Sequence, residues 1–125
     1  MDNVTPLPAL VVEMDPFFAI LVREALQASG IACRVAYSAR AAALLARSEV
    51  FQIVFLGVRL PDDTGLNLVQ GIRTAQGRQI PIVVVGTDDA VEFRREVLAS
   101  GVNEYLLKPV SLAELRDVIK MFAST

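Results

Sequence analysis

The chain of 125 residues has the length of one ordinary domain, enough to enclose a single core. Hydrophobic residues make up 54% of it and charged residues 21%, with a mean hydropathy of +0.48, which excludes a disordered chain. A formal net charge of −2, from 12 basic and 14 acidic residues, excludes a large electrostatic footprint for nucleic acid.

The longest apolar runs, residues 53–58 and 82–86, fall far short of the ~18 residues that cross a bilayer. Short apolar runs bounded by polar residues suit strands buried on both faces of a parallel sheet. Met1-Asp2-Asn3-Val4 lacks the basic start and apolar centre of a secretory leader, so a cytoplasmic protein is expected. Cys33 is the only cysteine, which excludes an internal disulfide and a cysteine-rich zinc site. Histidine is absent, and with it go His-based triads, HExxH metallopeptidases and most catalytic zinc sites.

In chain order, residues 8–12 (PALVV) read as a first strand. Asp15-Pro16 then reads as a helix start, a carboxylate N-cap followed by proline at the first helical position. Phe18, Leu21, Val22, Ala25, Leu26 and Ser29 have the spacing of one buried helical face, and Gly30 stops it. Residues 32–37 read as a second strand, and Ser38 caps an alanine-rich helix running to about Arg47. Residues 51–56 form a third strand, and 57–65 (GVRLPDDTG) form a loop of turn formers. The next helix places Leu68, Val69, Ile72 and Ala75 inward.

Residues 80–85 read as a fourth strand. Gly86-Thr87-Asp88-Asp89 then forms a loop and cap before a helix with Ala90, Phe93, Val97 and Leu98 inward, ended by Gly101. Glu104–Leu107 reads as a short fifth strand, followed by Lys108-Pro109 and a last helix capped by Ser111 with Leu115, Val118, Ile119 and Phe122 toward the core. Five β-then-α units imply a parallel sheet with helices on both faces. Sites in such sheets lie at the carboxyl ends of the strands. The residues at those ends are Glu13, Met14, Asp15, Gly57, Gly86, Thr87 and Lys108.

The segments LVVEMDP (10–16), IVFLGVRLPDDTG (53–65), PIVVVGTDD (81–89) and NEYLLKPVSLAEL (103–115) together resemble the receiver domain of two-component response regulators. The resemblance covers Ala9 to Phe122, and residues 1–125 are expected to be one such domain. It implies a flavodoxin-like (CheY-like) sheet of order 2-1-3-4-5 with five helices. It also implies a phosphoryl group taken from a kinase histidine onto an aspartate at the end of the third strand. An acidic pair after the first strand would hold Mg²⁺ with that aspartate. A hydroxyl after the fourth strand and a lysine after the fifth would contact the phosphoryl oxygens.

Carried over position by position, the acidic pair falls on Glu13 and Met14, the acceptor on Gly57 and the hydroxyl on Gly86. The lysine falls on Lys108, and a switch aromatic on Tyr105. Glycine at 57 has no nucleophile, and a thioether at 14 is a poor ligand for a hard cation. The chain therefore resembles a receiver that has lost phosphoryl chemistry, a pseudo-receiver that is no enzyme, binds Mg²⁺ weakly or not at all, and acts through protein contacts. A protein partner, or a homodimer through the surface between Ala90 and Phe122, is expected; direct nucleic-acid and membrane binding are not.

Other readings stay open for single residues. Asp15 is an N-cap or a leftover cation ligand, and Glu13 a vestigial site residue or an ordinary loop charge. Thr87 belongs to the helix cap or shifts back to supply the missing hydroxyl. Asp62 and Asp63 are turn residues or substitute acceptors. Tyr105 is core or switch, and Cys33 reads as a small buried hydrophobe. Lys108 needs a carboxylate, for which Glu13 is the best candidate, and the bond to Pro109 is expected to be cis. The rival from another class, a small flavodoxin-type cofactor binder, would need a phosphate cradle after the first strand. Neither GxGxxG nor GxxxxGK[ST] is there, and Glu13-Met14-Asp15 would repel a phosphate.

Overall fold

Short apolar runs alternate with amphipathic segments, and that alternation builds the architecture of a computed structural model describing residues 5–123. The reading of Met1 to Val4 lies outside the described residues. Strands β1 (Ala9–Val12), β2 (Cys33–Ala36), β3 (Ile53–Gly57), β4 (Ile82–Gly86) and β5 (Glu104–Leu107) form one parallel sheet of order β2-β1-β3-β4-β5. Helices α1 (Pro16–Ala28), α2 (Ala39–Ser48), α3 (Val69–Gln76), α4 (Val91–Ala99) and α5 (Leu112–Phe122) connect and follow them. The fold expected from the sequence is the one observed.

Register aligns Val12, Leu56, Val84 and Tyr105 in one row across the sheet. Because strand side chains alternate between faces, this row points into one layer and its neighbours into the other. Leu10, Val12, Val54, Leu56 and Val84 pack with Ala42, Ile72 and Val97 of α2, α3 and α4. Val11, Ile53, Phe55 and Val83 pack with Val22 and Leu26 of α1 and Leu115 and Ile119 of α5. The central strands β1, β3 and β4 are buried along their whole length, whereas the edge strands β2 and β5 are only partly so. Apolar residues on both faces of a central strand are what parallel sheets demand.

Three of the expected caps close. Asp15 accepts from Phe17 N, Ser38 from Ala41 N, and Ser111 with Glu114 completes a reciprocal capping box. Gly30 and Gly101 follow α1 and α4 at φ of 75° and 99°, the left-handed region that glycine enters without strain.

Several boundaries differ from the sequence reading. β3 and β4 run one residue further, through Gly57 and Gly86, since ladder hydrogen bonds need backbone and not side chains. α3 begins only at Val69, after a 3-10 turn over Gly65–Leu68 that Thr64 caps. Ala75 and Ser29 are exposed, the latter because it is the C-cap of α1 and no longer on its inward face. Ala90 is the exposed N-cap of α4 rather than an inward residue. Cys33 is half-buried on an edge strand, and burial pushes its thiol above the ordinary value. No helix among the described residues is long and apolar enough to cross a membrane.

Candidate functional site

The carboxyl ends of β1, β3, β4 and β5 meet at one side of the sheet, around a cavity of about 360 Å³ that Glu13, Met14, Gly86, Thr87, Tyr105 and Lys108 help to line. Most positions singled out in the sequence therefore converge. Gly57 is buried as the last residue of β3, where it pairs with Val85 of β4. Met14 stands at the rim, 43% exposed.

Glu13 follows β1 directly and is 3% exposed. Its Oε2 accepts from Asp15 N at 3.0 Å, while Lys108 Nζ stands 3.1 Å from its Oε1. That second contact is an ion pair without hydrogen-bond alignment, since Oε1 has no partner of proper geometry. Lys108 also lies 3.9 Å from Asp15 Oδ2 and 4.8 Å above the centre of the Phe18 ring, a cation–π contact. The carboxylate expected beside Lys108 is thus present, and the Lys108–Pro109 bond is cis as expected.

Gly57 and Gly86 are both closely surrounded. A Cβ at Gly57 would stand 3.1 Å from Glu13 Oε1 and 3.2 Å from the Val12 carbonyl oxygen. The Glu13 carboxylate therefore lies close over residue 57. A Cβ at Gly86 would stand 2.8 Å from the Tyr105 hydroxyl and 3.0 Å from Val58 Cγ2. At Gly65 a Cβ would meet the Gly57 carbonyl oxygen at 1.9 Å, so only glycine fits where the loop folds back and Gly65 N donates to Val58 O.

Tyr105 is 3% exposed, with its hydroxyl donating to Asp88 O at 2.8 Å and its ring edge-on to Phe93 at 5.7 Å. Burial raises its phenol above the ordinary value. Thr87 is exposed at the mouth, and the local hydrogen bond ahead of α4 belongs to Asp88, which accepts from Ala90 N. The cap expected to involve Thr87 does not form, since α4 starts at Ala90 without a side-chain cap.

Asp62 and Asp63 behave differently from each other. Asp63 does what turn chemistry predicts, accepting from Thr64 N and Asn67 Nδ2. Asp62 instead reaches the start of α2, where it accepts from Ala39 N at 2.8 Å and Arg40 N at 3.0 Å. Those backbone donors hold its carboxyl below the ordinary value. Sequence reasoning missed this contact, and also Arg94, whose guanidinium donates to Tyr105 O and pairs with Glu104. Partners separated by many residues leave no local signal.

The donor set does not fit Mg²⁺. Glu13 is committed to Lys108 and a backbone N–H, Met14 offers sulfur, Gly57 offers nothing, and Asp15 caps α1. Among the described residues no group of three or more His, Cys, Asp or Glu side chains could hold a metal ion.

The family model described as "Response regulator receiver domain" matches residues 9–120. The transcriptional regulatory protein PmrA of Pectobacterium parmentieri is 36% identical over 111 residues, 89% of this chain and 50% of that protein. The aerobic respiration control sensor protein ArcB of Escherichia coli K12 is 32% identical over 124 residues, 96% of this chain and 16% of that protein. This chain thus spans half or less of those two relatives. The chemotaxis response regulator CheY4 of Vibrio cholerae superposes with a TM-score of 0.86 at 25% identity, covering 94% of this chain and 99% of that one. Motif order, sheet order and these likenesses agree, and the chain belongs to the response regulator receiver domain family of two-component signalling.

Proposed function

We propose that this domain is a pseudo-receiver, a signalling module that works through protein–protein contact without accepting a phosphoryl group. The observation that carries this reading is the state of position 57. Glycine offers no acceptor side chain, and a Cβ there would press at 3.1 Å on the carboxylate of Glu13, which is already paired with Lys108. Phosphoryl transfer also needs developing negative charge to be neutralised, and the residues present do not make a Mg²⁺ site. Asp62 is a poor substitute acceptor, because two backbone N–H groups engage its carboxylate at the start of α2.

Incubation with acetyl phosphate and Mg²⁺ tests the reading: intact mass stays unchanged. A stoichiometric gain of one phosphoryl group sinks it and directs attention to Asp62, Asp63 or Asp15. The partner is a protein, in a cytoplasmic pathway, that reads the surface between Ala90 and Phe122, where mixed charges such as Arg95, Glu96, Arg116 and Asp117 lie exposed. Self-association through the same surface is the alternative, and sedimentation of the wild type against Arg95→Glu distinguishes it from a separate partner.

A further inference from the structure

We propose a second interaction surface, the α2–α3 face, which takes an acidic amphipathic helix of a partner protein. This goes beyond the pseudo-receiver reading and does not depend on it. The side chains that α2 and α3 turn toward each other are too short to fill the space between the two helices. Ala43, Ala46, Leu68, Gly71, Ile72 and Ala75 wall a groove of about 350 Å³, with Arg47 and Thr74 its only polar lining residues. Beside it Arg40, Leu44 and Arg47 form an exposed stripe on α2 at i, i+4 and i+7, and Leu44 is 55% exposed. Gly71 lies inside α3, where glycine weakens a helix relative to alanine. A Cβ there would meet nothing within 4 Å, so packing within the chain gives no reason for glycine, whereas close approach from outside does.

Charge selects the occupant. α1, α4 and α5 each balance their signs: Arg23 with Glu24, Arg94 and Arg95 with Glu92 and Glu96, Arg116 and Lys120 with Glu114 and Asp117. α2 and α3 carry Arg40, Arg47 and Arg73 and no carboxylate at all. Arg73 is engaged by the carbonyls of Arg78, Ile80 and Gly101. Asp62 bonds to Arg40 N at the start of α2, and Glu49 beyond its end pairs with Arg34 at 3.1 Å. Arg47 is left at the groove, exposed and in no salt bridge among the described residues. A helix laid along the groove, with apolar side chains against Leu44 and the alanines and a carboxylate beside Arg47, matches both features. A second copy matches less well, because a twofold pairing of this face brings like-charged arginines together.

The test uses the whole chain and a defined probe. This is a dye-labelled helical peptide of about four turns, with a leucine and alanine stripe flanked by glutamates. Its twin has every glutamate replaced by lysine. Fluorescence anisotropy should show the glutamate peptide bound about tenfold or more tightly than the twin, by a margin that shrinks as salt is raised. Arg47→Glu should abolish that preference, and Arg23→Glu, on α1, should leave it intact. Gly71→Leu should melt no lower than the wild type, since residue 71 has open space beside it, yet bind the glutamate peptide about tenfold more weakly. A glutamate peptide that does not bind, equal binding of the twins, or binding that survives Gly71→Leu overturns the proposal. So does self-association of the wild type that Gly71→Leu abolishes, which would give the groove to a second copy. If Gly71→Leu does not fold, Arg47→Glu decides, because its side chain is exposed. Labelling by acetyl phosphate would refute the pseudo-receiver reading and leave the peptide result unchanged, so the two failures are separable.

Discussion

Two carboxylates at the same end of the sheet, Glu13 after β1 and Asp62 after β3, follow neighbouring strands yet do opposite kinds of work. Glu13 is buried against an ammonium that is itself mostly buried, with side-chain exposures of 4% and 22%. Asp62 is exposed and bonds two backbone N–H groups that would otherwise face water at the start of α2. The first holds a charge that cannot easily be solvated if its partner goes; the second replaces water that would readily return. Burial, more than charge or bond count, separates their energetic roles.

The largest expected effect is therefore at Glu13. Removing one partner of a buried pair leaves the other stranded, and Glu13→Ala should cost about 2–3 kcal/mol, toward the low end because Lys108 can partly reach water and Asp15. For a domain of this size that is a fall in Tm of roughly 8 °C. Adding Lys108→Met to Glu13→Ala should recover part of the loss, since the stranded ammonium is gone and a methionine packs on Phe18. Thermal denaturation of the two single variants and the double variant measures the coupling; additive losses would place Glu13 and Lys108 among independent surface charges.

The sheet and its caps were legible because each depends on local pattern. Short runs of four to six residues, nearly all apolar in the centre of the sheet, marked the strands, and Asp15, Ser38 and Ser111 marked helix starts with their own side chains. The convergence of Glu13, Met14, Gly86, Thr87 and Lys108 was legible from their places at the strand ends, and the Glu13–Lys108 pair from the cost of burying a lone lysine. What lies against Gly57 and Gly86 was not. The sequence reports an absent side chain, while the approach of Glu13 and Tyr105 is a matter of volume between different strands. The reach of Asp62 to α2 was hidden for the same reason, since turn chemistry accounts for an aspartate after Pro61 without any distant partner. Ala75 and Ser29 went astray because the end of a helix leaves the core before its period does.

A middle-sized effect sharpens the contrast by adding a third carboxylate. In Gly57→Asp the new Cβ approaches Glu13 Oε1 and the Val12 carbonyl oxygen at 3.1 and 3.2 Å, so Glu13 must give way and like charges crowd. The expected cost is about 1–2 kcal/mol, as for an overfilled site. Met14 still offers sulfur, so Gly57→Asp alone should remain poorly labelled by acetyl phosphate. Gly57→Asp with Met14→Asp should gain Tm on addition of millimolar Mg²⁺ and accept some phosphoryl label. A wild-type protein already stabilised specifically by Mg²⁺ would contradict the assignment of Met14 as the residue that abolishes the site.

The smallest effect, at Asp62, tests the exposed side of the comparison through pH. Its folded carboxyl lies below the ordinary value of ~3.9 because Ala39 N and Arg40 N, then the charge of Arg40, favour the ionised form. A group depressed in the folded state contributes stability above its unfolded pKa and loses it as pH falls through the folded one. Asp62→Ala should therefore melt below the wild type at pH 5–7, by less than Glu13→Ala does, because water can replace the lost carboxylate. That gap should stay constant down to ~4 and close only at more acid pH, as Asp62 itself takes up a proton. Melting curves of both proteins across this range give the answer. A gap that already closes near neutrality would mean that a different group governs it, and a gap as large as that of Glu13→Ala would show that the backbone bonds at the start of α2 are shielded from water.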